Sequence, residues 1–554
     1  MPPRNRRQAF HLPLTLLIFF ILFLLVLYFA VAPDPNENPL LPGAGTSSQS
    51  QRYHKVAQQA EQKLRASVRK KKELLGIALD SLSTTHLPPR LKELRQKHEI
   101  VGERLGEIKA GKETVQEILH AVHNKHMTSD KPPMELEEII DYLTNWIHTL
   151  HDTLSEHKMA TFEGIWQAYH DLTVKTLYVW DQDYLSRMPP RREDGSIFLS
   201  VATYRDENCI KTLTKAYEKA KNPENLFIGL VQQNCHSNCR SGVLEGGTME
   251  EVEPDEDCRK LFCDSDQGKY CDNVRLLDID EPESLGPYAA RYFASKLWYG
   301  EEWFMQTDAH MTWKQDWDEI SVSMLKSAPS KKPVISHYPP SHMADLEAMA
   351  DRPASRLCGP IFATSDLESQ IIRLEGASNY DKKKLDIPRF APFTAAGYFV
   401  AHSEFLRDIP FDPFLPWIFM GEEIIMSTRL WTAGYDIFSP SQAVVGHVYV
   451  RRHKPKFWES VHRAFRPGVH NPLQAMVLKR IKHQLGYPEC ATDMLETKSL
   501  LTAVEHYSMG TERPLSAYLE MVGLNMTTKE VTITNWCETG SPPPGFEDLA
   551  HLYQ

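Results

Sequence analysis

The sequence predicts an α/β domain with a largely parallel, Rossmann-like mixed sheet, set behind a transmembrane helix and a helical stem, on three observations. About 20 uncharged, apolar residues run from Leu12 to Ala32. From about Tyr53 the texture changes to Lys, Glu, Leu, Gln and His, with apolar residues at three- and four-residue spacing. From residue 195 onward, short apolar runs alternate with amphipathic segments of helical period.

The first apolar run is long enough to cross a hydrocarbon core of about 30 Å as a helix and too long for an ordinary signal-peptide core. A cleaved signal peptide is the alternative. Arg4, Arg6 and Arg7 precede the run, and Asp34 and Glu37 follow it, so the positive-inside rule keeps residues 1–11 cytosolic and sends the rest into a lumen. The expected protein is single-pass, type II, and resident in a Golgi or other secretory-pathway membrane. Residues 33–52, rich in Pro, Gly and Ser, read as a flexible linker.

Residues 53–190 read as a helical stem, interrupted at Pro88-Pro89 and Pro132-Pro133, whose apolar faces allow homo-oligomerisation. The pairs His120/His123 and His148/His151 fit exposed helix positions better than a metal site. Net charge of −11 without a basic stripe argues against nucleic acid as a partner. The run "RKKKE" at 69–73 reads as the solvated face of a helix.

Nine cysteines in a lumen should pair, and the odd number leaves at least one thiol over. Cys235, Cys239, Cys258, Cys263 and Cys271 crowd one acidic loop; with no C-x-x-C among them, disulfides are expected in preference to a zinc knuckle. The sequon Asn525-Met526-Thr527 agrees with a luminal address.

Turn formers in "MPPRREDGS" close the stem, and residues 191–490 form the main domain, followed by a C-terminal extension over 491–554. "SIFLSVATYRDENCIKTLTKAYEKA" reads as strand, polar turn and helix; "ENLFIGLVQQ" and "VRLLDID" as strands; "GPYAARYFASKLW" as a helix; "EWFMQTD" as another strand. In such sheets ligands bind beyond the carboxyl ends of the strands, where Asp308 and His310 fall. In extended backbone residues two apart share a side, so the two side chains converge on one object. A carboxylate and an imidazole suit a borderline divalent cation such as manganese.

Glu422 and Glu423 in "FMGEEIIMS" follow a glycine that lets backbone approach a ligand closely; they either orient a ligand's hydroxyls or stabilise a helix N-terminus. Ala395, Ala396 and Gly397 in "FTAAGYFVAH" are small enough for a ligand to pack on backbone, or simply form a tight strand turn. Trp313 and Trp417 are expected in the core rather than on a ligand.

Together "SVATYRDENC", "GPYAARYFASKLWYGEEWFMQTDAHMTW" and "FMGEEIIMSTRLWTAGYDIFSP" resemble the glycosyltransferase family 60 pattern over about residues 195–465. Characterised members of that family are protein hydroxyproline and mucin-type polypeptide N-acetylglucosaminyltransferases. A more distant similarity, in the D-x-H, "AAGYFV", "MGEEIIMSTRLWTAGYD" and "VVGHVYVRR", runs to the polypeptide N-acetylgalactosaminyltransferases. The resemblance implies a GT-A nucleotide-sugar-binding domain, retention at the anomeric carbon, and Mn²⁺ bound by Asp308, His310 and His447. It also makes Thr203, Arg205, Asp206 and Arg291 candidates for contacts to the nucleotide-sugar donor.

The function expected is transfer of N-acetylglucosamine from UDP-N-acetylglucosamine to Ser, Thr or hydroxyproline hydroxyls of secretory-pathway proteins. Glu422 or Glu423 would position the reactants. Hydroxyproline-modifying members of family 60 are cytoplasmic, so the anchor and stem favour a mucin-type acceptor. Another donor, UDP-N-acetylgalactosamine or UDP-glucose, stays open because a few pocket contacts decide sugar choice. A non-catalytic Golgi scaffold that binds glycans is the reading from a different class.

Overall fold

The computed structural model describes residues 131–553 apart from 157–160, 242–249, 366–367, 369, 378–384, 452–453, 461–464 and 466–467. The expected anchor, linker and first part of the stem therefore lie outside the described residues. Among the described residues no helix is long and apolar enough to cross a membrane.

Three helices come first: α1 (Leu136–Glu156), α2 (Phe162–Leu172) and α3 (Tyr178–Ser186), the last two joined by a π-helical turn at Thr173–Leu177. Thr161 starts α2 by accepting the Gly164 N–H at 3.1 Å, which satisfies one of the donors left over at a helix start. On α1 the buried residues Ile139, Leu143, Trp146, Ile147 and Leu150 repeat at helical spacing and form one apolar stripe. That stripe and Trp166 and Tyr169 of α2 belong to the same continuous core as the sheet that follows. His148 is exposed, with its Nδ1 2.6 Å from Glu283.

The sheet elements follow in chain order: β1 (Ile197–Tyr204), α4 (Cys209–Lys219), β2 (Leu226–Asn234), β3 (Val274–Asp280), α5 (Pro287–Lys296), β4 (Trp303–Asp308), β5 (Met311–Trp313) and α6 (Trp317–Ser327). Next come β6 (Pro333–Ser336), β7 (Arg356–Phe362), β8 (Ile372–Ala377), β9 (Arg389–Phe390), β10 (Tyr398–His402), α7 (Glu422–Thr432), β11 (Asp436–Ser439), β12 (Val445–His447) and α8 (His470–Gln484). Eight strands form one mixed sheet in the order β9-β11-β6-β10-β4-β1-β2-β3.

Strands β4, β1, β2 and β3 run parallel, whereas β10 runs antiparallel to both of its neighbours, β4 and β6. Strands β1 and β2 are covered on both faces, which is why "IFLSVATY" and "LFIGLVQQN" are nearly continuous apolar runs rather than alternating ones. β7 and β8 form a separate antiparallel hairpin, and β5 pairs with β12 antiparallel.

Eight cysteines pair as Cys209–Cys258, Cys235–Cys239, Cys263–Cys271 and Cys358–Cys537; Cys490 is a buried free thiol. The crowded cysteine loop is thus held by disulfides, two of them local and one tying it to α4. The Cys358–Cys537 bond anchors the C-terminal segment to β7 across a sequence separation of 179.

A buried ion pair fastens the first helices to the sheet layer. Lys296 of α5 lies 2.5 Å from Asp181 of α3, and neither is appreciably exposed. Tyr292 and Tyr507 donate hydroxyls to the same carboxylate at 2.9 and 2.6 Å, so one buried acid joins α3, α5 and the C-terminal segment. Asp181→Ala strands the Lys296 ammonium in an apolar interior, and we expect it to lower unfolding free energy by about 3–5 kcal/mol in denaturant melts. A loss under 1 kcal/mol would show that the pair does not hold these helices in place.

Candidate active site

Strand ends set the position of the site. In the parallel pair β1–β4 the last registered partners are Ala202 and Asp308, so Asp308 stands at the carboxyl edge of the sheet's centre. The chain then bends through Ala309 and His310 before β5. Strand β12 lies antiparallel on β5 with His447 opposite Met311, and the Val448 N–H donates to the His310 carbonyl at 3.0 Å. This pairing carries His447 to Asp308 across 139 residues of sequence.

Asp308, His310 and His447 each offer a ligand atom, and all three lie within 4.8 Å of one another. The two imidazole centroids are 4.6 Å apart, and His447 Nε2 is 3.0 Å from Asp308 Oδ2. They line a cavity of about 460 Å³ together with Arg291, Gly397, Glu422 and Glu423.

Arg291, on buried α5, points into this cluster. Its Nη2 donates to Asp308 Oδ1 at 2.7 Å, and its Nη1 donates to Glu422 Oε2. Burial alone would raise the Asp308 pKa, but the His447 hydrogen bond and the Arg291 charge outweigh it and hold the carboxyl well below the usual range. Glu422 is raised by burial against the opposing pull of Arg291. It also accepts from Gln306 Nε2 at 3.2 Å.

Glu423 points the other way, accepting the Tyr338 hydroxyl at 2.6 Å and the Ala396 N–H at 3.0 Å. Burial pushes its carboxyl up to about 7, and these two hydrogen bonds only partly offset that. Both acids occupy the first turn of α7, where the helix dipole favours negative charge. Gly397 is required by proximity: a Cβ there would sit 2.7 Å from Asp308 Oδ2. Gly421 is required by conformation, since it enters α7 at φ 96°.

The triad fits a divalent cation. One carboxylate oxygen and two imidazole nitrogens are a donor set for a borderline metal, and bonds of about 2.1–2.3 Å put cis and trans ligand atoms about 3–4.5 Å apart. Among the described residues, His447 Nδ1 is buried without a hydrogen-bond partner.

The "TYRD" candidates separate in the structure. Asp206 lines the cavity, but Thr203 and Arg205 do not. Arg205 is buried with its guanidinium held by Asp255 at 2.7 Å and Glu281 at 2.9 Å, so its charge is used inside the fold rather than offered to a donor phosphate. Thr203 is buried in β1, where its carbonyl accepts from Gln233 Nε2 at 3.0 Å.

Ala396 lines the cavity, its carbonyl accepting from Gln306 Nε2 at 2.7 Å. Trp313 and Trp417 are core residues, as expected. Sequence reasoning missed Tyr338, Tyr449, Arg451 and the packed pair Phe419–Trp458 at the cavity wall. Only Arg451 carried a signal, standing in "GHVYVRR" four residues beyond His447.

The raised Glu423 carboxyl has a stability consequence. Its folded value of about 7 exceeds the ordinary 4.5, so the folded state holds a proton that the unfolded chain releases. Folding stability from this group is therefore undiminished at low pH and falls as pH rises from 4.5 to about 7, by about 3 kcal/mol in all. We expect Glu423→Gln to match the parent in denaturant unfolding below pH 5 and to exceed it at pH 8. Equal stability at both pH values would contradict the buried, protonated carboxyl.

A family model described as Glycosyltransferase (GlcNAc) matches residues 196–528. Among solved structures, that of GalNAc-T7 with UDP, GalNAc and Mn²⁺ is similar at 15% identity and TM-score 0.36, covering 60% of this chain and 59% of that chain. S. aureus TarS 1-349 in complex with UDP-GlcNAc is similar at 11% identity and TM-score 0.28, covering 56% of this chain and 80% of that chain. No curated protein matches. The family match covers more than half of the sequence and takes in every strand of the eight-stranded sheet: the chain belongs to the GlcNAc glycosyltransferase family.

Proposed function

We propose that the chain is a retaining, metal-dependent glycosyltransferase of the family 60 type. It transfers N-acetylglucosamine from UDP-N-acetylglucosamine to Ser, Thr or hydroxyproline hydroxyls of proteins in the secretory pathway. The observation that carries this reading is the convergence of Asp308, His310 and His447 at the sheet's carboxyl edge, inside a cavity of about 460 Å³. A luminal, Golgi-type address is supported by the four disulfides and by the apolar run Leu12 to Ala32.

Asp308, His310 and His447 would hold a divalent cation such as Mn²⁺, which would supply positive charge for a departing diphosphate; one charge pair at about 4 Å and an effective dielectric near 20 is worth about 4 kcal/mol. The remaining work falls to this chain's side chains. Arg291 keeps Asp308 ionised and fixes its orientation through Oδ1, leaving Oδ2 toward His447. The same guanidinium clamps Glu422, which leaves that acid poorly placed to act as a covalent nucleophile.

Glu423, partly open to the cavity, orients acceptor or sugar hydroxyls with Tyr338. Attack then comes on the face the leaving group departs from. The anomeric C–O bond to UDP breaks, the bond to the acceptor oxygen forms, and the acceptor's proton passes to a donor phosphate oxygen. The small side chain at Ala396 and the bare Gly397 let a sugar ring lie on backbone.

The direct test assays the full-length chain for UDP release against a panel of UDP-sugars with acceptor peptides. UDP-N-acetylglucosamine should be turned over fastest, EDTA should abolish turnover, and Mn²⁺ should restore it. Full activity in chelator, or in an Asp308→Asn/His310→Ala double variant, would refute the metal role. Preference for another UDP-sugar would correct the donor. Gly397→Ala, which forces Asp308 Oδ2 aside, should reduce turnover at least about tenfold while the melting temperature stays near the parent's.

A further inference from the structure

Asp206 was a candidate for contact with the donor, but its partners assign it elsewhere. Its carboxylate is 2% exposed, and both oxygens are occupied. Oδ1 accepts from the Asn208 N–H at 3.0 Å and from Asn208 Nδ2 at 3.2 Å. Oδ2 lies 2.6 Å from His310 Nδ1 and 3.0 Å from Arg451 Nη1. A carboxylate offers about four lone-pair directions, and four donors already surround this one. Little acceptor capacity is left for a uracil N–H or a ribose hydroxyl.

The contact with His310 has a specific consequence. An ionised carboxylate only accepts, so the imidazole donates from Nδ1, and in the neutral ring the lone pair then sits on Nε2. Nε2 thereby becomes the nitrogen able to take a cation beside Asp308 and His447. Arg451, four residues past His447, also donates to the Tyr204 carbonyl at 3.2 Å. Asp206 is thus fixed from the β1 end and from the segment after β12 at once, and it cannot swing without breaking contacts to both.

We propose that Asp206 is a positioning residue that fixes the tautomer and orientation of His310 for the metal site, and is not a nucleotide contact. The inference rests on the triad reading above. Carboxylate partners of ligating histidines typically change metal affinity by about 10–100-fold when removed.

The test titrates Mn²⁺ into the full-length chain and follows the free-ion EPR signal, with UDP binding in EDTA as a second readout. Asp206→Ala should weaken Mn²⁺ binding about 10–100-fold and leave UDP binding in EDTA unchanged. Placed on a His310→Ala background, Asp206→Ala should add less than about threefold, because it acts through the ring already removed. Asp206→Asn keeps an acceptor for Nδ1–H and should recover part of the affinity; it also serves as the readout, with a loss of about threefold or more, should the alanine variant not fold.

Unchanged Mn²⁺ affinity in both variants, or a UDP affinity in EDTA that falls instead, overturns the inference while leaving the triad standing. An unsubstituted chain with no saturable Mn²⁺ binding that His447→Ala abolishes would remove the triad reading itself, and this inference with it.

Discussion

The antiparallel ladder between Met311–Trp313 and Val445–His447 is the constraint on which the candidate site depends. Three registered pairs and the Val448 N–H to His310 carbonyl bond place an imidazole from late in the chain beside the end of a central strand. Three groups around the cavity serve that meeting directly. Gly397 leaves room for Asp308, Arg291 pairs with its carboxylate, and Asp206 bonds the second imidazole. Losing the ladder would leave a carboxylate and one histidine, a pair with many ordinary uses.

Charge is distributed with little surplus around this meeting. Arg291 divides its guanidinium between Asp308 and Glu422, so it keeps one carboxylate ionised while clamping the other. Glu423, one residue on, receives no such direct partner and is pushed up by burial, held by a hydroxyl and a backbone N–H. Two adjacent acids at one helix start therefore have different environments and different chemistry. Adjacent residues on a helix point about 100° apart, which is the geometric reason.

The first three helices have a place in this economy of contacts that a stem alone would not have. Their apolar stripe is part of the sheet's core, and the Asp181 carboxylate meets an ammonium and two phenols from α5 and the C-terminal segment. The same α5 presents Arg291 to the cavity from another side of its cylinder. Packing of the helices before the sheet thus bears on the orientation of α5, and through it on Asp308.

Local pattern by itself determined the alternation of strands and helices from Ile197 to Asp308, the amphipathic character of α1, and the D-x-H at a strand end. Each follows from periodicity and turn chemistry within about ten residues. The resemblance of these motifs to known glycosyltransferases, "VVGHVYVRR" among them, added donor and metal roles for Arg291, the paired acids and His447. Tertiary structure decided what no local pattern contains. It turned Arg205 inward to Asp255 and Glu281, gave Asp206 to His310, set Glu422 and Glu423 on different partners, and brought Tyr338 and Arg451 to the cavity. Which carboxylate a guanidinium meets depends on strand order and helix packing between segments far apart in the chain, 50 and 76 residues for the partners of Arg205, and a side chain's charge is silent about where that partner will come from.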